Sequence, residues 1–231
     1  MLEIGPGLGT LTIKLAEKSK KVIAVEKDHV LVKILNKELR KNNIDNVEII
    51  QGDILKIINS KQLPGNSYNK VVGSLPFYLT SPFIRQLIET PENRPLQMTL
   101  VIQKEVAQRI CAWPPGMSLL AVSVQFYARP KIVSYISKKS FWPSPKVNSA
   151  IIQITKINVN KKINSREFFK IVRAGFSRPR KLLISNLSKN LSLDKIKVES
   201  WLCKNNIQPD QRAETLNVED WIKLIKNLKI K

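Results

Sequence analysis

The run Leu2-Glu3-Ile4-Gly5-Pro6-Gly7-Leu8-Gly9-Thr10 takes an apolar strand end straight into a glycine-rich turn, and apolar positions then recur at helical spacing from Leu11 to Ala16. Strand, glycine turn and helix in that order form the opening unit of an open α/β sheet, and nucleotide-like ligands bind at this junction. Side chains at Gly5 and Gly7 would fill the space that a ligand approaching the backbone requires. The glycines follow Gly-x-Gly-x-Gly, not the Gly-x-Gly-x-x-Gly of dinucleotide-binding folds, and an acidic residue, Glu3, stands two positions before the first of them. This spacing favours S-adenosylmethionine over a nicotinamide dinucleotide and disfavours a dehydrogenase. A tight turn without a ligand would also use glycine, so the later strand ends decide between the two.

Glu26 closes the apolar run Val22-Ile23-Ala24-Val25, about twenty residues beyond the turn, where a carboxylate can accept both ribose hydroxyls. The next run, Val47-Glu48-Ile49-Ile50-Gln51, ends in Gly52-Asp53-Ile54. Asp53 is placed to accept a hydrogen bond from an adenine amine, with Ile54 against the ring. Strands are expected at 1–4, 22–26, 47–51, 70–74 and 98–102, with helical spacing between them, which predicts a doubly wound parallel sheet. Helix-forming sequence at 104–110 is broken by Pro114-Pro115-Gly116, and 119–127 suits an amphipathic helix or a strand equally. Segments 131–136 and 147–154 alternate like two late strands. From Asn158 the chain turns helical and highly charged, with Phe168, Phe169, Ile171 and Val172 on one face. Helices are expected near 165–176, 180–191, 195–206 and 217–228, with Ser192 and Asn217 positioned to cap two of them. The division expected is a Rossmann-like α/β domain over 1–157 and a small α-helical domain over 158–231.

The chain has 231 residues, with 39 Lys and Arg against 18 Asp and Glu, a formal charge of +21. Such an excess predicts a polyanionic partner, without separating RNA, DNA and anionic membrane. No apolar segment approaches the roughly twenty residues of a membrane span, and the N-terminus lacks an apolar signal-peptide core. A soluble, cytoplasmic protein with no membrane partner is expected. Cys111, Cys203 and His29 offer neither a disulfide framework nor a metal cluster, so no metal is expected. Both cysteines are expected half-buried, and His29 on the surface.

The fourth strand runs into Val71-Val72-Gly73-Ser74-Leu75-Pro76-Phe77-Tyr78, which sets a small polar residue, a rigid proline and an aromatic ring at the sheet edge. Proline fixes φ and so holds the neighbouring carbonyls in place. Methyl transfer to an exocyclic amine needs such a device, because the adenine lone pair is delocalised into the ring. Acceptors for its two N–H bonds help the nitrogen pyramidalise, and an aromatic face holds the flipped base. A plain loop closing on the core would carry the same Pro-Phe pair.

Glu3 to Thr12, Gly52-Asp53, Ser74-Leu75-Pro76-Phe77-Tyr78 and Thr80-Ser81-Pro82 occur in the order found in ribosomal RNA adenine dimethylases. Phe141-Trp142-Pro143-Ser144-Pro145-Lys146-Val147-Asn148-Ser149 and Arg212-Ala213-Glu214-Thr215-Leu216 continue the pattern. Ala174-Gly175-Phe176-Ser177-Arg178-Pro179-Arg180-Lys181 looks like the family's Phe-Ser-x-Arg-Arg-Lys segment. The chain therefore resembles that family along essentially its whole length, and most closely its small-subunit branch, which dimethylates two adjacent adenines near the 3′ end of the RNA. The resemblance implies a class I methyltransferase sheet followed by an RNA-binding helical domain. By position, it implies that Gly5, Glu26 and Asp53 bind S-adenosylmethionine, with Glu3, Gly7, Ile54 and Ser74 completing the pocket. Leu75 and Pro76 would supply backbone acceptors, Phe77 would stack on the adenine, and Phe141 would close the pocket. Arg173, Arg178, Arg180 and Lys181 would contact phosphates, suiting A-form RNA read by shape and backbone. The implied partner is small-subunit rRNA within an assembling 30S particle, bound by a monomer.

Three departures stand out. The family usually has Asn where this chain has Ser74, a shorter acceptor that predicts slower methylation. Met1 falls inside the first strand, whereas family members carry a preceding segment with a Gln-Asn-Phe-like motif; a cofactor site short of one wall, and weak cofactor binding, would follow. Arg178-Pro179-Arg180 replaces adjacent arginines and is expected to shorten a helix. Two other functions stay open: a large-subunit adenine methylase, disfavoured by the Arg-Ala-Glu-Thr-Leu and Phe-x-Pro-x-Pro-x-Val-x-Ser blocks, and a non-catalytic RNA-binding assembly factor.

Overall fold

Two strands buried along their whole length, β1 (Leu2–Ile4) and β2 (Val22–Glu26), lie in the middle of the sheet. Their unbroken burial is what strands covered on both faces require. In the computed structural model, which describes residues 1–60, 63, 68–90, 94–157 and 163–227, they pair in parallel with β3 (Val47–Gln51) on one side and β4 (Lys70–Ser74) on the other. β5 (Gln97–Gln103) completes the parallel part. The crossovers are α1 (Thr10–Glu17), α2 (His29–Lys41), α3 (Ile54–Asn59) and α4 (Thr80–Glu89). Of the expected Pro91 to Pro95 loop, residues 91–93 lie outside the described residues.

The sheet is mixed, not purely parallel. β6 (Arg129–Ile136) and β7 (Ser149–Thr155) extend it in the order β3-β2-β1-β4-β5-β7-β6, with β7 antiparallel to both neighbours. Gln103 pairs with Ser149, and Ser149 with Ile136. The loop joining β6 to β7 therefore lies at the carboxyl edge of the parallel strands. Antiparallel neighbours need no crossover helix, so these two strands can follow each other through one loop. A register shift between Ile132 and Ser134 interrupts the β6 ladder.

The chain divides into two compact units, Met1–Ala107 with Ala128–Asn158, and Gln108–Tyr127 with Val159–Lys231. The second is thus not one stretch of chain, and the expected boundary at 157/158 reaches residues outside those described. The ambiguous segment 119–127 is mostly helix: α5 (Lys104–Ile110) is followed by α6 (Leu119–Gln125), capped by the Ser118 hydroxyl accepting from the Ala121 N–H at 3.1 Å. Packing decides for helix here, because Phe126 after α6 stacks on Phe168 with centroids 3.9 Å apart, and Phe169 meets both edge-on.

Phe168 and Phe169 belong to α7 (Ser165–Gly175), followed by α8 (Leu183–Leu191), α9 (Lys195–Cys203) and α10 (Val218–Lys226). α8 starts three residues later than the pattern predicts. Residues 176–182 form a turn instead, held by the buried Asn186 side chain donating to the Gly175 carbonyl at 2.7 Å and the Arg178 carbonyl at 3.0 Å. Ser192 is no N-cap: it ends α8 in a left-handed conformation, and Asp194 caps α9. Asn217 does cap α10, in a reciprocal box with Asp220. Residue 228 of the expected last helix lies outside the described residues. Cys111 is half-buried but Cys203 is exposed, and α9 ends at Cys203 instead of continuing to 206. His29 is exposed. Among the described residues no helix is long and apolar enough to cross a membrane.

Gly175 sits where α7 meets α10. A Cβ there would collide with the Trp221 ring and come within 3.1 Å of Leu183 Cδ1. Trp221 is fully buried and has nowhere to move. Gly175→Ala is expected to lower the unfolding free energy by about 1–3 kcal/mol through overpacking, measured by urea titration.

Candidate cofactor and base site

The ends of β1, β2, β3 and β4 converge on one cleft with about 480 Å³ of empty space. Its apolar surface comes from Ile4, Val25, Ile54 and Leu79, and its polar groups from Glu26, Lys27, Asp53, Ser74 and Tyr78, with Gly5, Gly52 and Pro76 between them. Of the residues expected from sequence, Gly5, Glu26, Asp53, Ile54, Ser74 and Pro76 line it. Glu3, Gly7, Leu75, Phe77 and Phe141 lie outside the lining.

The turn after β1 has a conformation only glycine adopts easily. Gly5 has φ +66° and Gly7 φ +58°, the left-handed region in which a Cβ is strained. Crowding is not the cause: a Cβ on Gly5 would touch the Ser74 carbonyl at an ordinary 3.6 Å, and one on Gly7 would meet nothing within 4 Å. The positive φ adds a conformational requirement for glycine, and the open space beside Gly7 is space that a side chain would occupy.

Glu26 is buried and holds this turn. Its Oε2 accepts from the Gly7 N–H at 3.2 Å, and its Oε1 from the N–H groups of Lys27 at 2.8 Å and Asp28 at 3.0 Å. A carboxylate offers about four acceptor positions. Three are used by backbone, which leaves one of the four open towards the cleft. Asp53 is also doubly engaged. Its Oδ1 caps α3 by accepting from the Leu55 N–H at 3.0 Å, and its Oδ2 accepts from Lys27 Nζ at 3.3 Å. Desolvation alone would raise its pKa, but the Leu55 N–H and the Lys27 ammonium outweigh it and hold the carboxyl below its ordinary 3.8. Lys27 was not singled out from sequence. Its signal was its place, one residue past Glu26 at the strand's carboxyl edge.

Glu3 does not line the cleft. It is 1% exposed, and its Oε2 has no hydrogen-bond partner. Burial pushes its pKa above the ordinary 4.5, and the nearby Thr12 hydroxyl opposes this only in part. After β4, Leu75 buries its side chain and donates its N–H to the Val101 carbonyl at 3.0 Å. The Pro76 carbonyl accepts from the Leu79 N–H at 3.0 Å and the Thr80 hydroxyl at 3.3 Å. Both of its lone pairs are thus used in closing the short 3₁₀ turn Phe77–Leu79. Phe77 and Tyr78 project into solvent, 67% and 69% exposed. Phe141 is half-buried in the β6–β7 loop.

In the second unit Arg173 lies on α7, and Arg178, Arg180 and Lys181 on the turn before α8, all exposed. The last three line an open depression with Ser177 and Pro179. None of the four forms an ion pair among the described residues.

The cleft fits S-adenosylmethionine: left-handed glycines bring backbone close, and two carboxylates oriented by backbone N–H groups flank an apolar surface at the edge where open α/β sheets bind ligands. Fold and cleft define an S-adenosylmethionine-dependent class I methyltransferase. A family model described as ribosomal RNA adenine dimethylase matches residues 1–229, and the chain belongs to that family. Ribosomal RNA small subunit methyltransferase A of Dehalococcoides mccartyi (strain ATCC BAA-2266 / KCTC 15142 / 195) is 39% identical over 223 residues, 96% of this chain and 76% of that protein. Its namesake from Clostridium botulinum (strain Okra / Type B1) is 39% identical over 228 residues, 97% of this chain and 82% of that one. A dimethyladenosine transferase from Plasmodium falciparum superposes with TM-score 0.79 at 26% identity, covering 96% of this chain and 87% of that one. The 23S rRNA methyltransferase ErmE, at TM-score 0.78 and 24% identity over 99% of this chain and 90% of its own, shares the fold.

The raised pKa of Glu3 has a definite sign in stability. A carboxyl that holds its proton more tightly when folded favours the native state at acid pH, and that contribution is lost as pH rises from 4.5 through the folded-state value. Glu3→Gln removes this loss. Urea unfolding of both proteins across pH 4 to 8 is expected to show the variant gaining stability relative to the parent as pH rises; parallel profiles would refute the assignment.

Proposed function

We propose that this chain transfers methyl groups from S-adenosylmethionine to the N6 amines of two adjacent adenines near the 3′ end of small-subunit rRNA. It would act as a monomer on an assembling 30S particle, in the cytoplasm. The observation that carries this reading is the turn from Ser74 to Tyr78, which sets acceptors and an unpacked aromatic ring beside the cofactor cleft. Bound cofactor supplies an electrophilic methyl group on a sulfonium. Gly5, Glu26, Asp53 and Ile54 hold the nucleoside and amino-acid parts, with Gly7 shaping the turn. Glu3, buried and outside the lining of the cleft, shapes the pocket from behind it.

The Ser74 hydroxyl and the Leu75 carbonyl receive the two N–H bonds of the target amine, which frees its lone pair to attack in line. Pro76 has a different part from the one its position suggests: its carbonyl is taken by Leu79 and Thr80, so it fixes the turn. The Phe77 ring stacks on the flipped base, and Phe141 closes the pocket from its loop. No residue needs a tuned pKa, because the amine becomes acidic once methylated and releases its proton. Arg173, Arg178, Arg180 and Lys181 bind phosphates, which suits recognition by backbone and shape.

Incubating the chain with labelled S-adenosylmethionine and undermethylated small subunits, then mapping modified bases, tests donor, substrate and product together. Label in two adjacent dimethyladenines near the 3′ end is expected. Label confined to large-subunit RNA, or RNA binding without label, would overturn the proposal. In the same assay Ser74→Asn, which restores a longer acceptor, is expected to raise the single-turnover rate several-fold; an unchanged or lower rate removes Ser74 from the contact with the amine.

A further inference from the structure

Trp142 is 99% exposed, more than any other large apolar side chain among the described residues. A single exposed apolar residue is ordinary on a protein surface, but three further observations bear on this one. The first is rigidity. The β6–β7 loop that carries Trp142 is pinned by the Asn148 carboxamide oxygen accepting from the Lys138 N–H at 3.0 Å, and by the Ser144 hydroxyl donating to the Lys138 carbonyl at 2.9 Å. The Asn148 carbonyl in turn accepts from the Lys104 N–H at 3.0 Å, which fastens the loop to the end of β5. The indole is thus presented by a tied loop.

The second observation is charge. Lys138, Lys139 and Lys146 surround Trp142 in sequence and are all exposed, and no Asp or Glu occurs between Glu105 and Glu167. The third is location. Ser74 ends β4 opposite Val101 of β5, and Gln103 of β5 lies opposite Ser149 of β7, where the loop ends. The loop therefore leaves the same sheet edge as the base-binding turn, two strand spacings or about 10 Å away along the sheet.

An exposed indole flanked by lysines is the chemistry of a single-stranded nucleic-acid contact, in which the ring stacks on a base face and the ammonium groups meet phosphates. Bases inside a duplex have no free face to offer. We propose that Trp142 stacks on an unpaired nucleotide flanking the target adenine, and that Lys138, Lys139 and Lys146 contact the adjoining phosphates. This inference deepens the proposed function and rests on it for the identity of the RNA. The two neighbouring rings differ in packing: Phe141 is half-buried, whereas Trp142 is free of the core and available to a second base.

The test compares the parent chain with Trp142→Ala, Trp142→Phe and the triple variant Lys138→Ala, Lys139→Ala, Lys146→Ala, using free undermethylated small-subunit RNA and S-adenosylmethionine as separate ligands. All four side chains are exposed, so these substitutions are expected to leave the fold intact. Trp142→Ala is expected to weaken RNA binding about tenfold and to raise KM for RNA while kcat changes less than twofold. Trp142→Phe should recover affinity to within threefold of the parent. Cofactor affinity should be the same in all four proteins. Loss of the three lysines should reduce the slope of log affinity against log salt by about 2. RNA affinity of Trp142→Ala within twofold of the parent would overturn the proposal. So would a defect seen only on assembled small subunits and not on free RNA, since that would make Trp142 a protein contact. If the parent binds RNA but methylates nothing, the proposed function fails by itself, and the RNA affinities still decide the role of Trp142.

Discussion

The Glu26 carboxylate is the constraint on which the cofactor end of the molecule depends. Its three bonds to the N–H groups of Gly7, Lys27 and Asp28 join the turn after β1 to the turn after β2, and the Glu26 carbonyl accepts from the Gly52 N–H at 2.8 Å, bringing in the end of β3. One residue thus aligns three strand ends. Charge-assisted bonds from backbone N–H to a carboxylate are stronger than neutral ones, and burial protects them from competing water. The cleft is preorganised by the same group that would receive part of the ligand.

Such double use recurs around the site. Asp53 caps α3 with one oxygen and faces the cleft with the other, so the element that follows β3 and the polar rim of the pocket have a common origin. Pro76 restricts its own backbone and gives its carbonyl to Leu79 and Thr80, which turns the chain sharply and leaves Phe77 standing free of the core. A ring already packed could not receive a base. Lys27 bears on the part proposed for Asp53, because the ammonium holds the oxygen that an adenine amine would use. Lys27 is exposed and Asp53 partly so, and a pair open to water on one side is weak enough to be rearranged by a ligand.

Much of the fold was legible because the relevant signals are local. Apolar runs at β1, β2 and β3, each ending in Gly or an acidic residue and followed by helical spacing, can form little but successive βαβ units. Asn217 followed three residues later by Asp220 marks a helix start whatever surrounds it. Where the signals were not local, they misled or fell silent. Segment 119–127 carries no decisive period, and its helix follows from Phe126 stacking on Phe168, over forty positions along the chain. Ser192 has a capping side chain but a left-handed backbone, set by how α8 ends. The pattern predicts a helix from 180, yet Asn186 draws the Gly175 and Arg178 carbonyls into a turn and the helix starts at Leu183.

The residue types at the strand ends, their order and the excess of basic charge were determined by the sequence alone, because each depends only on neighbours a few positions apart or on composition. Which polar atoms are free for a ligand was decided only in three dimensions. Sequence nominated Glu3, Glu26, Asp53 and Pro76 alike. Folding buries Glu3, commits most of Glu26 and half of Asp53 to backbone N–H groups, and closes the Pro76 carbonyl into its own turn. A hydrogen bond to a distant strand uses up an acceptor as surely as one to a ligand, and only the paired strands determine which acceptors remain.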